Sequence, residues 1–247
     1  MIKDKFCRDL TISDMADLKE LFMASFNSSD AQPALNHYTS SIEKVLVMYE
    51  SRKPAAFLFY QLKKVAGANV LHLSLSGKNT NKSGAQKKMG SYLFYRYVLN
   101  PFSALKLNAF VTVSNNPRSY FNMRAIGDAV FPDVLASNKK FKYKELYGEV
   151  ASELGLKEVD EKGILHFRMQ KLGFQIREEQ TCKNGLDRKG LAFMDYIDDD
   201  ASHGVLVMVC VRPIVDVPLF YLSEARKMII SQSAGLKQIV EHRLGIQ

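Results

Sequence analysis

Two strand–turn–helix units follow one another in the middle of this chain. The first runs from the alternating strand Val70 to Ser76, through a polar turn, into a helix from about Ala85 to Leu99. The second runs from Leu107 to Val113, through Asn115-Asn116-Pro117, into a helix that starts near Arg118 and ends near Gly127. A strand that passes into a helix does not turn straight back as a hairpin, so the two strands are set to pair in parallel. Ahead of them, VLVMYE (45–50), AAFLFYQLKK (55–64) and VLHLSLS (70–76) are separated by turn residues at Ser51–Pro54 and Gly67. They read as two successive hairpins. A short strand over Lys5–Leu10 and a helix through Met15, Leu18, Leu21, Phe22 and Phe26 come first, with Ser13 or Thr11 as N-cap. The fold class predicted is α/β: a mixed, mostly antiparallel sheet, partly parallel near its middle and flanked by helices.

The second half is less regular. Lys142 to Leu156 reads as a helix and Gly204 to Arg212 as a buried strand. Beyond Pro213 and Pro218, Leu219 to Leu244 has helical spacing, suited to covering the sheet, to a homodimer face or to a wall of an acyl-chain pocket. The chain is 247 residues long and 47% hydrophobic, enough to bury a full core as one elaborated domain. No apolar run approaches the roughly 20 residues that cross a bilayer, so no transmembrane segment is expected. MIKDKFCRDL has no apolar signal core. Cys7, Cys182 and Cys210 lie far apart with no CxxC spacing, which argues against a disulfide framework or a zinc site and for a cytoplasmic setting.

The charge is unevenly spread. Residues 51–127 carry 12 basic side chains and no Asp or Glu, so the whole net charge of +8 comes from this third. Such a field concentrates anionic ligands. Within it, Lys82, Lys87 and Lys88 cluster with Gly84 and Gly90 where the first of the two helices begins. Free N–H groups and the positive end of the helix dipole make that a place where phosphate binds. The stretch is neither a GxxxxGK[ST] loop nor GxGxxG.

The order of elements and several local segments resemble the GCN5-related N-acyltransferase superfamily over about residues 5–130. CRDLTISDMADLKELFMASF resembles its first strand and helix, and VLVMYESRKPAAFLFYQL its central hairpin. AQKKMGSYL resembles the segment that cradles the CoA pyrophosphate, with Gly90 at its last small position, Lys88 where a glycine is usual and Ala85 where Arg or Gln is usual. VTVSNNPRSYFNMRAIG resembles the next strand and helix, with Asn116 at the asparagine beside the pantetheine arm. Met123 stands where the family often has a tyrosine acid, and Tyr120 is the nearby substitute. The NPRSYF run, FPDV (131–134) and the late strand look like the long-chain N-acyl amino acid and acyl-homoserine lactone synthase branch.

The resemblance implies an acyl-CoA-binding core over 1–130, and residues 131–247 as an elaboration on the acceptor and acyl-chain side. It implies an acyl-CoA or acyl-carrier-protein donor, a small amine or peptide acceptor, and no metal. Ala85, Gln86, Lys87, Lys88, Met89, Gly90 and Ser91 would hold the pyrophosphate and Asn116 the pantetheine. Tyr120 would act as the acid, and His72 would assist the amine. His72 has a suitable intrinsic pKa, and alternation places it with Ser74 and Ser76 opposite Leu71, Leu73 and Leu75. Asp195, Asp199 and His203 are further groups that the second half could bring to the site. Two other readings stand beside this one. The 12 cations, interleaved with Tyr92, Phe94, Tyr95 and Tyr97, would suit a nucleic-acid-binding module. The departures at Ala85, Lys88 and Met123 would suit a fold that binds CoA without turnover.

Overall fold

In a computed structural model the described residues are 1–26, 32–79, 84–98, 106–127, 129–136, 141–156, 158–166, 188–198 and 203–212. The expected helix over 219–244, Cys182, Lys82 and Asp199 lie outside them. The strands are β1 (Ile2–Phe6), β2 (Lys44–Glu50), β3 (Lys53–Val65), β4 (Ala68–Lys78), β5 (Asn108–Ser114), β6 (Ala129–Phe131), β7 (Ile164–Leu165) and β8 (Gly204–Val211). The helices are α1 (Ile12–Phe26), α2 (Gln32–Ser41), α3 (Ala85–Leu93), α4 (Pro117–Arg124), α5 (Lys144–Glu153) and α6 (Arg188–Tyr196). After Leu93 the backbone continues as a wider π-type turn over Phe94–Val98.

All eight strands form one mixed sheet in the order β1-β2-β3-β4-β5-β8-β6, with β7 also paired to β8. The pair β4–β5 is parallel and the rest are antiparallel, as the two strand–turn–helix units require. The late strand β8 pairs with β5 from Asn108↔Val211 to Ser114↔Val205, so it enters the middle of the sheet.

Both faces are covered. Ala85, Met89 and Leu93 of α3, Tyr120 and Met123 of α4, and Phe193 and Met194 of α6 pack with Leu46, Leu58, Tyr60, Leu71 and Phe110. On the other face α1 and α2 lie over Val45, Val47, Phe57 and Phe59, and α5 lies over Val65, Val70, Val111 and Met208. These two groups share a face because Phe57, Phe59 and Val65 are odd-numbered positions of one strand. Helix α1 starts as its sequence dictates. Thr11 is the N-cap, taking the Asp14 N–H on its Oγ1 at 3.2 Å, while the Asp14 carboxylate takes the Thr11 N–H at 2.9 Å.

One expectation about β4 is corrected. Phe59 pairs with Leu75 but Tyr60 pairs with Leu73, so Ser74 is an extra residue, a β-bulge. One inserted residue flips everything beyond it to the other face. Leu71 and Leu73 therefore pack with the α3 side, whereas Leu75 packs under α1 with Phe59.

Candidate functional site

Parallel strands end side by side, and here both lead into helices. Pairing between β4 and β5 runs from Asn69↔Asn108 to Leu73↔Thr112 and then stops. Yet β4 continues to Lys78 and β5 to Ser114. The strands part at the Ser74 bulge, where the register that ties β4 to β5 ends. A crevice at the carboxyl ends of parallel strands is where α/β sheets take ligands.

Helix α3 opens on one side of this rim. Gly84 sits before it at φ 76°, ψ −5°, a left-handed conformation that favours glycine. The Lys88 N–H bonds Gly84 O at 3.1 Å, so this helix closes its first turn there. The N–H groups of Ala85, Gln86 and Lys87 are its first-turn donors, and those of Lys88 onward serve the helix itself. That narrows the backbone cradle expected over 85–91 to its first three residues. The side chains of Ala85 and Met89 are fully buried and offer a ligand only their backbone. The Gln86 and Lys87 side chains lie outside the described residues. Lys88 is exposed, with Nζ 3.9 Å from a Glu50 carboxylate oxygen. Ser91 is exposed, and nothing lies within 4 Å of where a Gly90 Cβ would sit.

Helix α4 opens on the other side. Its N-cap is Asn116, with Pro117 in the first turn. Asn116 Oδ1 accepts from Arg118 N at 2.8 Å, and Ser114 Oγ closes the turn by donating to Asn116 O at 3.1 Å. The carboxamide oxygen thus belongs to the helix, which leaves its NH2 as the donor for a ligand.

Tyr120 is placed differently from the acid expected of it. It is fully buried; its hydroxyl donates to Pro132 O at 2.7 Å and accepts from Val134 N at 2.9 Å. Burial pushes that hydroxyl up to about 12. It ties α4 to the segment after β6, and this placement does not support a proton donor facing the crevice. His72 is buried on the opposite face, with Nδ1 2.9 Å from Gln61 Nε2. It lies opposite Val111, one rung before pairing stops. The two catalytic candidates therefore sit on opposite faces of the sheet. Among the groups of the second half, Asp195 is exposed on α6. His203 immediately precedes β8, whose Val205 pairs with Ser114, so it stands at the rim itself.

Carboxylates from outside the acid-free third fold onto it. Glu153 meets Lys63 at 2.9 Å, Asp4 meets Arg96 at 3.3 Å and Asp133 meets Arg124 at 3.1 Å. The interleaved aromatics turn inward. Phe94 stacks on Phe110 at 5.9 Å between centroids, and Tyr97 lies against Tyr60 at 5.9 Å. A base-stacking platform needs exposed rings, and Tyr95 is the exposed one of the four.

No family model and no curated protein matches this chain. Among solved structures, Arabidopsis thaliana Naa50 in complex with the bisubstrate analogue CoA-Ac-MVNAL is 10% identical; the likeness covers 51% of this chain and 82% of that one at a TM-score of 0.37. Escherichia coli ElaA is 11% identical, covering 54% of this chain and 88% of that one at a TM-score of 0.37. The ribosomal-protein-S18-alanine N-acetyltransferase of Escherichia coli is 9% identical, covering 53% of this chain and 81% of that one at a TM-score of 0.35. Each is a partial likeness at a low TM-score, so no family is assigned from it, and the functional reading rests on the crevice itself.

Proposed function

We propose that this chain is an N-acyltransferase that moves an acyl group from acyl-CoA, or from an acylated carrier protein, to an amine bound beside it. One observation carries the reading: β4 and β5 part at a bulge between two helix N-termini, which opens a slot edged by the parted strands. A pantetheine arm has amides that can pair with such an edge as an added strand does. The N–H groups of Ala85, Gln86 and Lys87, with the Lys87 and Lys88 side chains, would take the pyrophosphate. The Asn116 NH2 would hold the arm. A β4 N–H past Leu73 would donate to the thioester carbonyl as negative charge develops on its oxygen. The N-terminal dipole of α4 would stabilise the departing thiolate. An acceptor entering from the α1–α2 face would meet His72. Long-chain donors, as in the N-acyl amino acid synthases, belong to the same proposal.

The test is donor binding. Acetyl-CoA or a long-chain acyl-CoA at 100 times its Kd should stabilise the folded chain by about 2.7 kcal/mol. The double change Lys87→Glu, Lys88→Glu should abolish that shift, and unchanged affinity would sink the assignment. The commitment of the Tyr120 hydroxyl favours a second reading, in which the fold binds CoA without turnover. CoA binding with no transfer across a broad amine panel would establish it.

A further inference from the structure

We propose that a cavity under the far end of α3 is a second ligand site, which takes a medium-chain carboxylic acid with its tail inward and its carboxylate on Lys64. This goes beyond the acyl-transfer reading and does not depend on it. Two successive rungs of the sheet build the site. Leu62 pairs with Leu71, and Leu71 with Phe110. Two residues along the same strands, Lys64 pairs with Asn69, and Asn69 with Asn108. Alternate residues share a face, and Leu62, Leu71 and Phe110 pack on the α3 side, so both rungs look toward α3. One rung is wholly apolar; the other, about 7 Å away, is wholly polar.

The end of α3 supplies the remaining wall. The helix starts at the crevice and runs back along the sheet, where Phe94 stacks on Phe110 at 5.9 Å. The π-type turn then brings Tyr97 to the cavity, which it lines with Leu62, Leu71 and Phe110. Tyr97 is held from behind. Tyr60 donates to Asp4 Oδ1 at 2.7 Å, so its oxygen receives the Tyr97 proton at 3.0 Å. Lys44 Nζ donates to the Tyr97 oxygen at 3.4 Å, and Arg96 Nη1 lies 3.3 Å from the Asp4 carboxylate. A wall set in place before a ligand arrives lowers the cost of binding.

Size and charge select the ligand. The cavity holds about 260 Å³. A methylene takes up about the room of a water, roughly 30 Å³, so about eight fit. At the polar rung Lys64 is exposed and has no carboxylate within ion-pair distance among the described residues, whereas Lys63 turns to the other face and meets Glu153 at 2.9 Å. Asn69 gives one Nδ2 proton to Asn108 Oδ1 at 3.3 Å and has a second to give. Residues 51–127 hold no Asp or Glu, so no acid of that segment competes for these donors. An apolar cavity with an ammonium at its mouth suits a short tail that ends in a carboxylate. Asn69 lies about 13 Å along β4 from Leu73, where the parallel pairing ends, so the site is separate from the crevice.

The test titrates the full chain with octanoate and reads the contacts by NMR. Octanoate should bind with a Kd of about 1 mM or tighter. Its tail should show NOEs to the Leu62 and Leu71 methyls and to the Tyr97 ring. Lys64→Glu reverses the charge at the mouth and should weaken binding by about 10-fold or more. Leu62→Phe, which fills the cavity from a half-buried position, should do the same. Octylamine, of like shape and opposite charge, should bind about 10-fold more weakly than octanoate or worse. Acetyl-CoA should leave octanoate affinity unchanged. A Kd far above 1 mM, wild-type affinity in either variant, or octylamine binding as well as octanoate would overturn the site. Displacement of octanoate by acetyl-CoA would also overturn it, by placing the acid in the crevice, and would leave the acyl-transfer reading standing. A chain that binds octanoate as expected but no CoA ester would overturn that reading and leave this site standing.

Discussion

Tyr120→Phe separates two roles for one residue. A catalytic acid and a packing tyrosine predict opposite results. The hydroxyl is fully buried, gives its proton to Pro132 O at 2.7 Å and receives the Val134 N–H at 2.9 Å. Phenylalanine would fill the same space but strand both backbone groups. Losing the two bonds and leaving their partners unpaired should cost about 2–4 kcal/mol. For a chain of this size that lowers Tm by about 5–15 °C. The pH dependence gives a second reading of the same contact. Burial raises the hydroxyl from 10.0 to about 12. A raised folded pKa means stability fully present below pH 10 and lost as pH rises toward 12. The loss amounts to about 3 kcal/mol. In Tyr120→Phe that part of the alkaline loss should vanish. Urea unfolding from pH 7 to 11 measures the first effect and about half of the second, about 1.4 kcal/mol by pH 11, and acetyl-CoA affinity per folded molecule should not change. Stability within about 0.5 kcal/mol of wild type, together with a 100-fold fall in transfer, would refute the packing role and restore the acid.

Asp14 gives an acid-side counterpart. Burial raises its pKa, but the hydrogen bonds of Lys5 and Thr11 outweigh that and hold it at about 2. A depressed folded pKa contributes stability above pH 4 that is lost as pH falls toward 2, about 2 kcal/mol in all. Asp14→Asn should flatten the urea midpoint between pH 4 and 2, and parallel curves would contradict this. At Gly77 an added Cβ would sit 2.4 Å from Phe57 Cε1 and 2.5 Å from Ser25 Oγ, so Gly77→Ala should destabilise by about 1–3 kcal/mol, read as a lower Tm.

What was legible in the sequence is what local chemistry dictates. Asn115-Asn116-Pro117 reads as an N-cap followed by a proline, and α4 starts there. The alternation of β2, β3 and early β4 sets their pairing, and the two strand–turn–helix units set the one parallel pair. The position of the bulge was not legible, because Ser74 differs from its neighbours only in what pairs across from it. Missing it put Leu75 and Ser76 on the wrong faces. Nor does any sequence spacing bring Tyr97 to Leu62, Leu71 and Phe110, since that depends on how the end of α3 lies on the sheet. For Tyr120 the family pattern supplied a role, while Pro132 O and Val134 N, 12 and 14 residues away, decide what its hydroxyl does.

The charge of the central third shows the same dependence on distant segments, and it sharpens the crevice. The carboxylates that answer it meet Lys63, Arg96 and Arg124 closely, and Lys88 at 3.9 Å. Lys63 faces Val70 near the start of β4, and Arg96 and Arg124 lie past or at the ends of helices that begin at the rim. Lys78 and Arg118 sit instead at the carboxyl end of β4 and in the first turn of α4. Arg52 and Lys53 join them, because Ala56 pairs with Lys78. These four have no carboxylate within ion-pair distance among the described residues. Lys64 and Lys106 lie at the far end, so the bias is one of degree. Among the described residues, carboxylates meet three cations away from the crevice and one beside it, Lys88, which tilts the field toward the two helix N-termini. A ligand drawn down that gradient carries its negative charge at one end, which a pyrophosphate does and an extended polyanion does not.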